Sequence, residues 1–131
     1  MSILNSGAYY YIIFYTSFNN RLSDDTTRFF LYDYIDFRSK SLGCNIIKIG
    51  GDEESVHFAI SIPPTISLND VICILKSSSQ NYIHKNFKNY NFFWKSDFFY
   101  KTFSEENLSD IIRLIDNNTI PNDLTFSVKK S

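Results

Sequence analysis

Hydrophobic and polar positions divide this chain into a run of short elements with recognisable periods. Residues 8–17, Ala-Tyr-Tyr-Tyr-Ile-Ile-Phe-Tyr-Thr-Ser, are β-branched and aromatic and read as a buried strand. A polar loop follows at 18–22, and Ser23 or Asp24 can cap a helix reaching about Ser41. Phe29, Phe30, Tyr32, Ile35 and Phe37 give that helix its apolar stripe, and Gly43 stops it. Residues 44–49 form a second strand, Gly50-Gly51-Asp52 a turn, and 55–62 a third strand ended by Pro63-Pro64. Ser67 opens a helix whose stripe is Val71, Ile72, Ile74, Leu75, Tyr82 and Ile83. An Asn- and Phe-rich loop at 86–97 leads to a fourth strand at 98–103. Ser104 caps a last helix with Leu108, Ile111, Ile112 and Ile115 inside, and Pro121 ends it. Residues 119–131 read as a loosely ordered tail.

The order β-α-β-β-α-β-α is that of a ferredoxin-like split βαβ unit, an α+β fold with an antiparallel sheet. The helices are expected on one sheet face, with the other left for a site or a partner. Alternation along 55–62 points Val56, Phe58 and Ile60 at the helices and Ser55, His57 and Ala59 at the other face. His57 therefore sits where chemistry is possible on such a fold. Two residues earlier, where a second imidazole would complete a metal-binding pair, stands Ser55.

Composition narrows the function classes. At 131 residues the chain is one domain, 1–131, and 44% apolar content with 18% aromatics excludes a disordered class. A formal net charge of -1 and a pI near 6.1 are not those of a dedicated nucleic-acid binder. Cys44 and Cys73 are isolated, without zinc spacing, which fits reduced thiols in the cytoplasm. No signal peptide is expected, and the apolar run from Tyr9 to Tyr15 is too short to span a bilayer, so no membrane partner is expected.

Several ordered blocks carry a resemblance. They are the Tyr11-Ile12-Ile13-Phe14 strand, Glu54-Ser55-Val56-His57-Phe58-Ala59-Ile60, and the segment running from Ile62-Pro63-Pro64 to Asp70-Val71. After them come Leu75-Lys76-Ser77-Ser78-Ser79-Gln80, Phe93-Trp94-Lys95-Ser96-Asp97 and Ile111-Ile112-Arg113-Leu114-Ile115-Asp116-Asn117-Asn118. Over roughly residues 9–118 the chain resembles the single-tyrosine transposases of the insertion sequence 200/605 group and their REP-associated relatives.

That resemblance implies an enzyme that cuts and joins single-stranded DNA. A His-hydrophobic-His strand and a Gln hold magnesium or manganese against the scissile phosphate, and a tyrosine on the last helix attacks it. This sequence departs at each position. Ser55 stands for the first His and His57 for the second; Leu114 stands for the tyrosine and Asn118 for the Gln. Serine is a poor ligand for a divalent ion at neutral pH, and leucine cannot attack phosphorus. No metal or other cofactor is therefore expected, His57 and the Asn118 amide being what is left of the implied ligand set. Tyr100, before the last helix, is the nearest candidate for a displaced nucleophile.

Partners are suggested by a second pattern. Lys76, Lys85, Lys88, Lys95 and Lys101 are interleaved with Tyr82, His84, Tyr90, Phe92, Phe93 and Trp94, the mixture that single-stranded nucleic acid prefers. Asp52-Glu53-Glu54 and the acidic last helix, with Glu105, Glu106, Asp110 and Asp116, oppose a phosphate backbone. Each feature also has a purely structural alternative: His57 an ordinary sheet-face imidazole, Leu114 packing, Trp94 a core anchor rather than a stacking platform.

The resulting expectation is a transposase-like protein without catalysis that binds single-stranded or hairpin DNA. The alternatives are a protein-interaction or regulatory dimer without nucleic acid, and an active transposase with an unorthodox site. A homodimer is expected because the strand from Tyr9 to Tyr15 is too apolar on both faces to leave one in water, and because strands of two protomers join in the family.

Overall fold

A computed structural model of the chain describes residues 7–17, 22, 24–117 and the backbone of 127–130. Asn118, Pro121, Ser23 and most of the 18–22 loop lie outside these residues. The elements run β1 (Ala8–Thr16), α1 (Asp25–Ser41), β2 (Asn45–Gly51), β3 (Ser55–Ile62), α2 (Leu68–Phe87), β4 (Trp94–Phe103), a 3-10 turn (Glu105–Asn107), α3 (Leu108–Asp116) and β5 (Ser127–Lys130). The sheet has the order β2-β3-β1-β4-β5, and every neighbouring pair is antiparallel. The fold is α+β, as the element order predicts. Within the stretch read as a loose tail, residues 127–130 pair with β4 from Asp97 to Tyr100.

Local chemistry accounts for the boundaries. The Asp24 carboxylate accepts the Thr26 amide and caps α1, and Ser67 Oγ accepts the Asp70 amide and caps α2. Gly43, at φ +81, turns the chain out of α1. The β2–β3 turn needs Gly51, at φ +151, because a Cβ there would lie 2.1 Å from the Ser55 carbonyl oxygen.

Two cores flank the sheet. Ile12, Phe14, Val56, Phe58 and Ile60 face α1 and α2, where they meet Leu31, Ile35, Val71, Ile72, Leu75 and Ile83. On the opposite face Tyr11, Ile13 and Ala59 pack against Ile111 and Ile115 of α3. The two long helices thus share one face, but the expectation of helices on one face alone does not hold, because Ile111 and Ile115 seat the short third helix on part of the other. This removes the reason for expecting β1 to drive dimerisation. Ile12, Ile13 and Phe14 are each 0% exposed within one chain, because β1 lies between β3 and β4 with a core on either side.

Two expectations fail in detail. The segment expected to be a loop as far as residue 97 already pairs from Trp94. The Trp94 amide donates to Gln80 Oε1 and its indole to Ser79 Oγ, so α2 side chains hold the start of β4 on the core. The α1 stripe is also different. Leu31 and Ile35 are buried, whereas Phe29 and Phe37 are each 66% exposed and Phe30 is 43% exposed.

Candidate functional site

Ser55 and His57 are adjacent same-face positions on β3, on the side that α3 covers. That face is not open at this point: Ser55 is 6% and His57 2% exposed. Four groups join there. His57 Nε2 lies 2.9 Å from Ser55 Oγ, and Nδ1 lies 2.9 Å from the Tyr11 hydroxyl. Ser55 Oγ lies 3.0 Å from Asp52 Oδ1.

The direction of the chain follows from what each group can give. A carboxylate only accepts, so the Ser55 hydroxyl donates to Asp52. Its oxygen then accepts from His57 Nε2–H, which leaves Nδ1 to accept from the Tyr11 hydroxyl. The imidazole is neutral in this arrangement. Burial holds His57 below its ordinary pKa, with Asp52 opposing. Burial, helped by Tyr15, pushes the Tyr11 phenol well above its ordinary value, so it is a proton donor and not a phenolate. Tyr15, on the same face, is pushed up to about 12 by burial and then by Asp52.

A metal held by this strand would need a free imidazole lone pair. Both ring nitrogens of His57 are already engaged by protein groups, and the neighbouring donor is a neutral hydroxyl. Among the described residues no group of three His, Cys, Asp or Glu side chains converges. These donors do not fit a divalent ion.

Leu114 on α3 is half-buried against the cluster of Tyr11, Ile13, Ala59, Ile111 and Ile115. The fold therefore brings the Leu114 position onto the same face as His57. Tyr100 does not belong there. It pairs with Ile12 and packs into the core on the α1–α2 side, so the sheet separates it from His57. Sequence reasoning missed Tyr11, the tyrosine that touches His57. Its contact crosses two strands and depends on the β1–β3 register, which pairs Ile13 with His57.

The five lysines do not form one patch. Lys76 is only 9% exposed, and its ammonium donates to the carbonyls of Lys95, Ser96 and Asp97 at 2.7, 3.1 and 3.4 Å. The β1–β4 register shifts between Phe14 and Thr16, opposite residues 95–97. Lys76 thus serves as an internal donor for an irregular strand and is corrected from a DNA contact to a structural residue. It also lies 5.6 Å from the Phe14 ring and 5.2 Å from that of Phe98. Trp94 is a core anchor, 8% exposed.

Lys85 and Lys88 are exposed at the C-terminal end of α2. Close by, the His84 ring meets those of Tyr90 and Phe93, which are 63% and 47% exposed. Lys95 is exposed and reaches over Tyr15, and half-buried Lys101 pairs with Tyr11, both on the His57 side of the sheet. No described helix is long and apolar enough to cross a membrane.

A family model described as transposase IS200-like matches residues 5–118. No curated protein sequence matches the chain. Among solved structures, the chain is similar to a candidate transposase from Deinococcus radiodurans r1, with 18% identity and a TM-score of 0.71 over 92% of this chain and 100% of that one. It is also similar to a REP-associated tyrosine transposase solved with a REP hairpin, with 13% identity and a TM-score of 0.67 over 90% and 72% of the two chains. At these identities the likeness is one of fold.

Proposed function

The chain belongs to the IS200-like transposase family, and from that premise we propose a cytoplasmic, transposase-like protein that binds single-stranded or hairpin DNA without cutting it. The observation that carries the loss of cleavage is the closed state of His57. Both ring nitrogens are bonded within the protein, and the family resemblance implies Ser55 for the other imidazole and Leu114 for the nucleophile. A metal-dependent attack by tyrosine needs all these parts together, and loss of any one is severe because they act as a unit.

Retained DNA binding is supported by the family and by the hairpin held by the REP-associated relative. The surface that suits it best is the end of α2. Exposed Lys85 and Lys88 are near in sequence to His84, whose ring meets those of Tyr90 and Phe93, and no carboxylate occurs in residues 71–96. The lysines would track phosphates and the rings would stack on bases. The His57 side suits DNA less well, since Asp52 borders it and Asp116 pairs with Lys48 at 2.8 Å. A homodimer belongs to the same reading, although β1 cannot be its seam.

The test uses labelled single strands and hairpins with magnesium or manganese. Binding that weakens as salt rises, with no covalent protein–DNA adduct, is the expected result. An adduct abolished by Tyr11→Phe would show that cleavage survives by another tyrosine. Absence of binding to every strand at low salt would remove the DNA reading.

A further inference from the structure

Helix α1 carries its largest apolar side chains on the wrong side for a helix that packs only on its own sheet. Its buried residues are Leu31, Ile35 and Ser39. On the ridge opposite them Phe29, Asp33, Phe37 and Lys40 recur at helical spacing, with Phe30 alongside. Phe29 and Phe37 are each 66% exposed and Phe30 43%.

These rings continue into neighbours across the α1–α2 junction. Phe37 meets Tyr34, Tyr34 stacks on Tyr82 with centroids 4.4 Å apart, Tyr82 meets Phe87, and Phe87 meets Phe30. The result is a continuous aromatic strip on the outer surface of the helical layer.

We infer that this strip is the contact surface between two copies of the chain. The area is of the right order. A phenylalanine presents roughly 150–250 Å², so the exposed parts of these three rings alone approach the size of the largest apolar patch on an ordinary monomer, about 300–600 Å². The half-buried Tyr34, Tyr82 and Phe87 and a polar rim extend it toward the scale of about 800 Å² per partner that a specific dimer buries.

The rim identifies the occupant. Asp33 and Asp36 lie among Arg38, Lys40 and, one turn from Tyr82 on α2, Lys85. Both signs are present in one patch, as a self-complementary two-fold contact requires. The same carboxylates repel a phosphate backbone, so nucleic acid fits this strip less well than it fits the end of α2 beyond it. The inference does not rest on the DNA reading.

Sedimentation velocity across the micromolar range tests it, with Phe29→Ser/Phe37→Ser as the variant. Both rings are mainly exposed, so the variant should fold, and circular dichroism checks that it does. Wild type is expected to pass from monomer to dimer, and the variant to self-associate at least tenfold more weakly. Hairpin binding, measured below the dimerisation range, should be equal in the two proteins. A wild type that stays monomeric, or a variant that dimerises like wild type, overturns the inference. Loss of hairpin binding in both proteins would count against the DNA reading alone.

Discussion

The two histidines of this chain sit in opposite kinds of surroundings. His57 is in the middle of the sheet, 2% exposed, with Tyr11 on one ring nitrogen and Ser55 on the other. His84 is half-buried at the end of α2, where its Nε2 meets the Phe92 carbonyl at 2.7 Å and its ring lies against exposed Tyr90 and Phe93. The first region has the chemistry of a core, at the position that the family resemblance implies for a metal site. The second has no catalytic pattern and the accessible mixture of rings and lysines that a nucleic acid can use. The His57 network holds β1, β3 and the β2–β3 turn together, since Tyr11, His57, Ser55 and Asp52 come from those three segments.

The sharpest break of this comparison is His57→Ala. It removes a buried ring and leaves the Tyr11 hydroxyl and Ser55 without their shared partner. Losing two buried hydrogen bonds and opening a cavity should cost about 2–4 kcal/mol. Urea denaturation measures this, and hairpin affinity below the unfolding range should not change. Stability near that of wild type would mean that the network contributes little. A loss of affinity with stability intact would return His57 to the binding surface.

The α2 end should respond in the reverse sense. Phe93→Ala is expected to weaken single-strand binding by about 1–3 kcal/mol, the range for one stacked base. Lys85→Ala and Lys88→Ala should each lower the slope of log affinity against log salt by about 1. All three side chains are exposed, so folding stability should move by no more than about 0.5 kcal/mol. A salt slope unchanged in both lysine variants would place the phosphates elsewhere, with Lys95 and Lys101 on the other face as the next pair to test.

How much of this was legible in the sequence depends on the range of the interaction responsible. Strand and helix order followed from local periods and from Asp24, Gly43 and Ser67, whose bonds are made within a few residues. The placement of α3 did not. Ile111 and Ile115 mark which side of that helix is buried, but nothing local says which sheet face receives it. The early start of β4 was hidden because Gln80, Ser79 and Lys76 supply its partners from α2. Phe29, Phe30 and Phe37 look like core in the sequence because hydrophobicity alone cannot separate a residue facing its own sheet from one on the outer surface. Around His57, Ser55 follows from strand alternation, whereas Tyr11 required the register between two strands.

The smallest expected effect concerns Lys76, the one lysine of the five that the fold takes inside. Burial lowers its pKa to about 8 from the ordinary 10.5, against the pull of Asp97 and Cys73. Between these values the unfolded chain holds a proton that the folded protein has released. Unfolding therefore takes up protons, and stability rises with pH across that window. Other groups limit where the rise is visible. Burial raises Cys44 above 9.0 and Tyr15 from 10.0 to about 12, so each ionises first in the unfolded chain and lowers stability once pH passes its ordinary value. The interval from pH 8 to 9 is left, and the gain across it should be no more than about 1 kcal/mol, because one full proton over one unit is worth about 1.4. Urea midpoints at the two ends measure it. Lys76→Met should be less stable throughout, having lost the donor to three carbonyls, but nearly flat over this interval. A variant that keeps the wild-type slope would mean that some other group titrates, and that Lys76 stays protonated among its carbonyls.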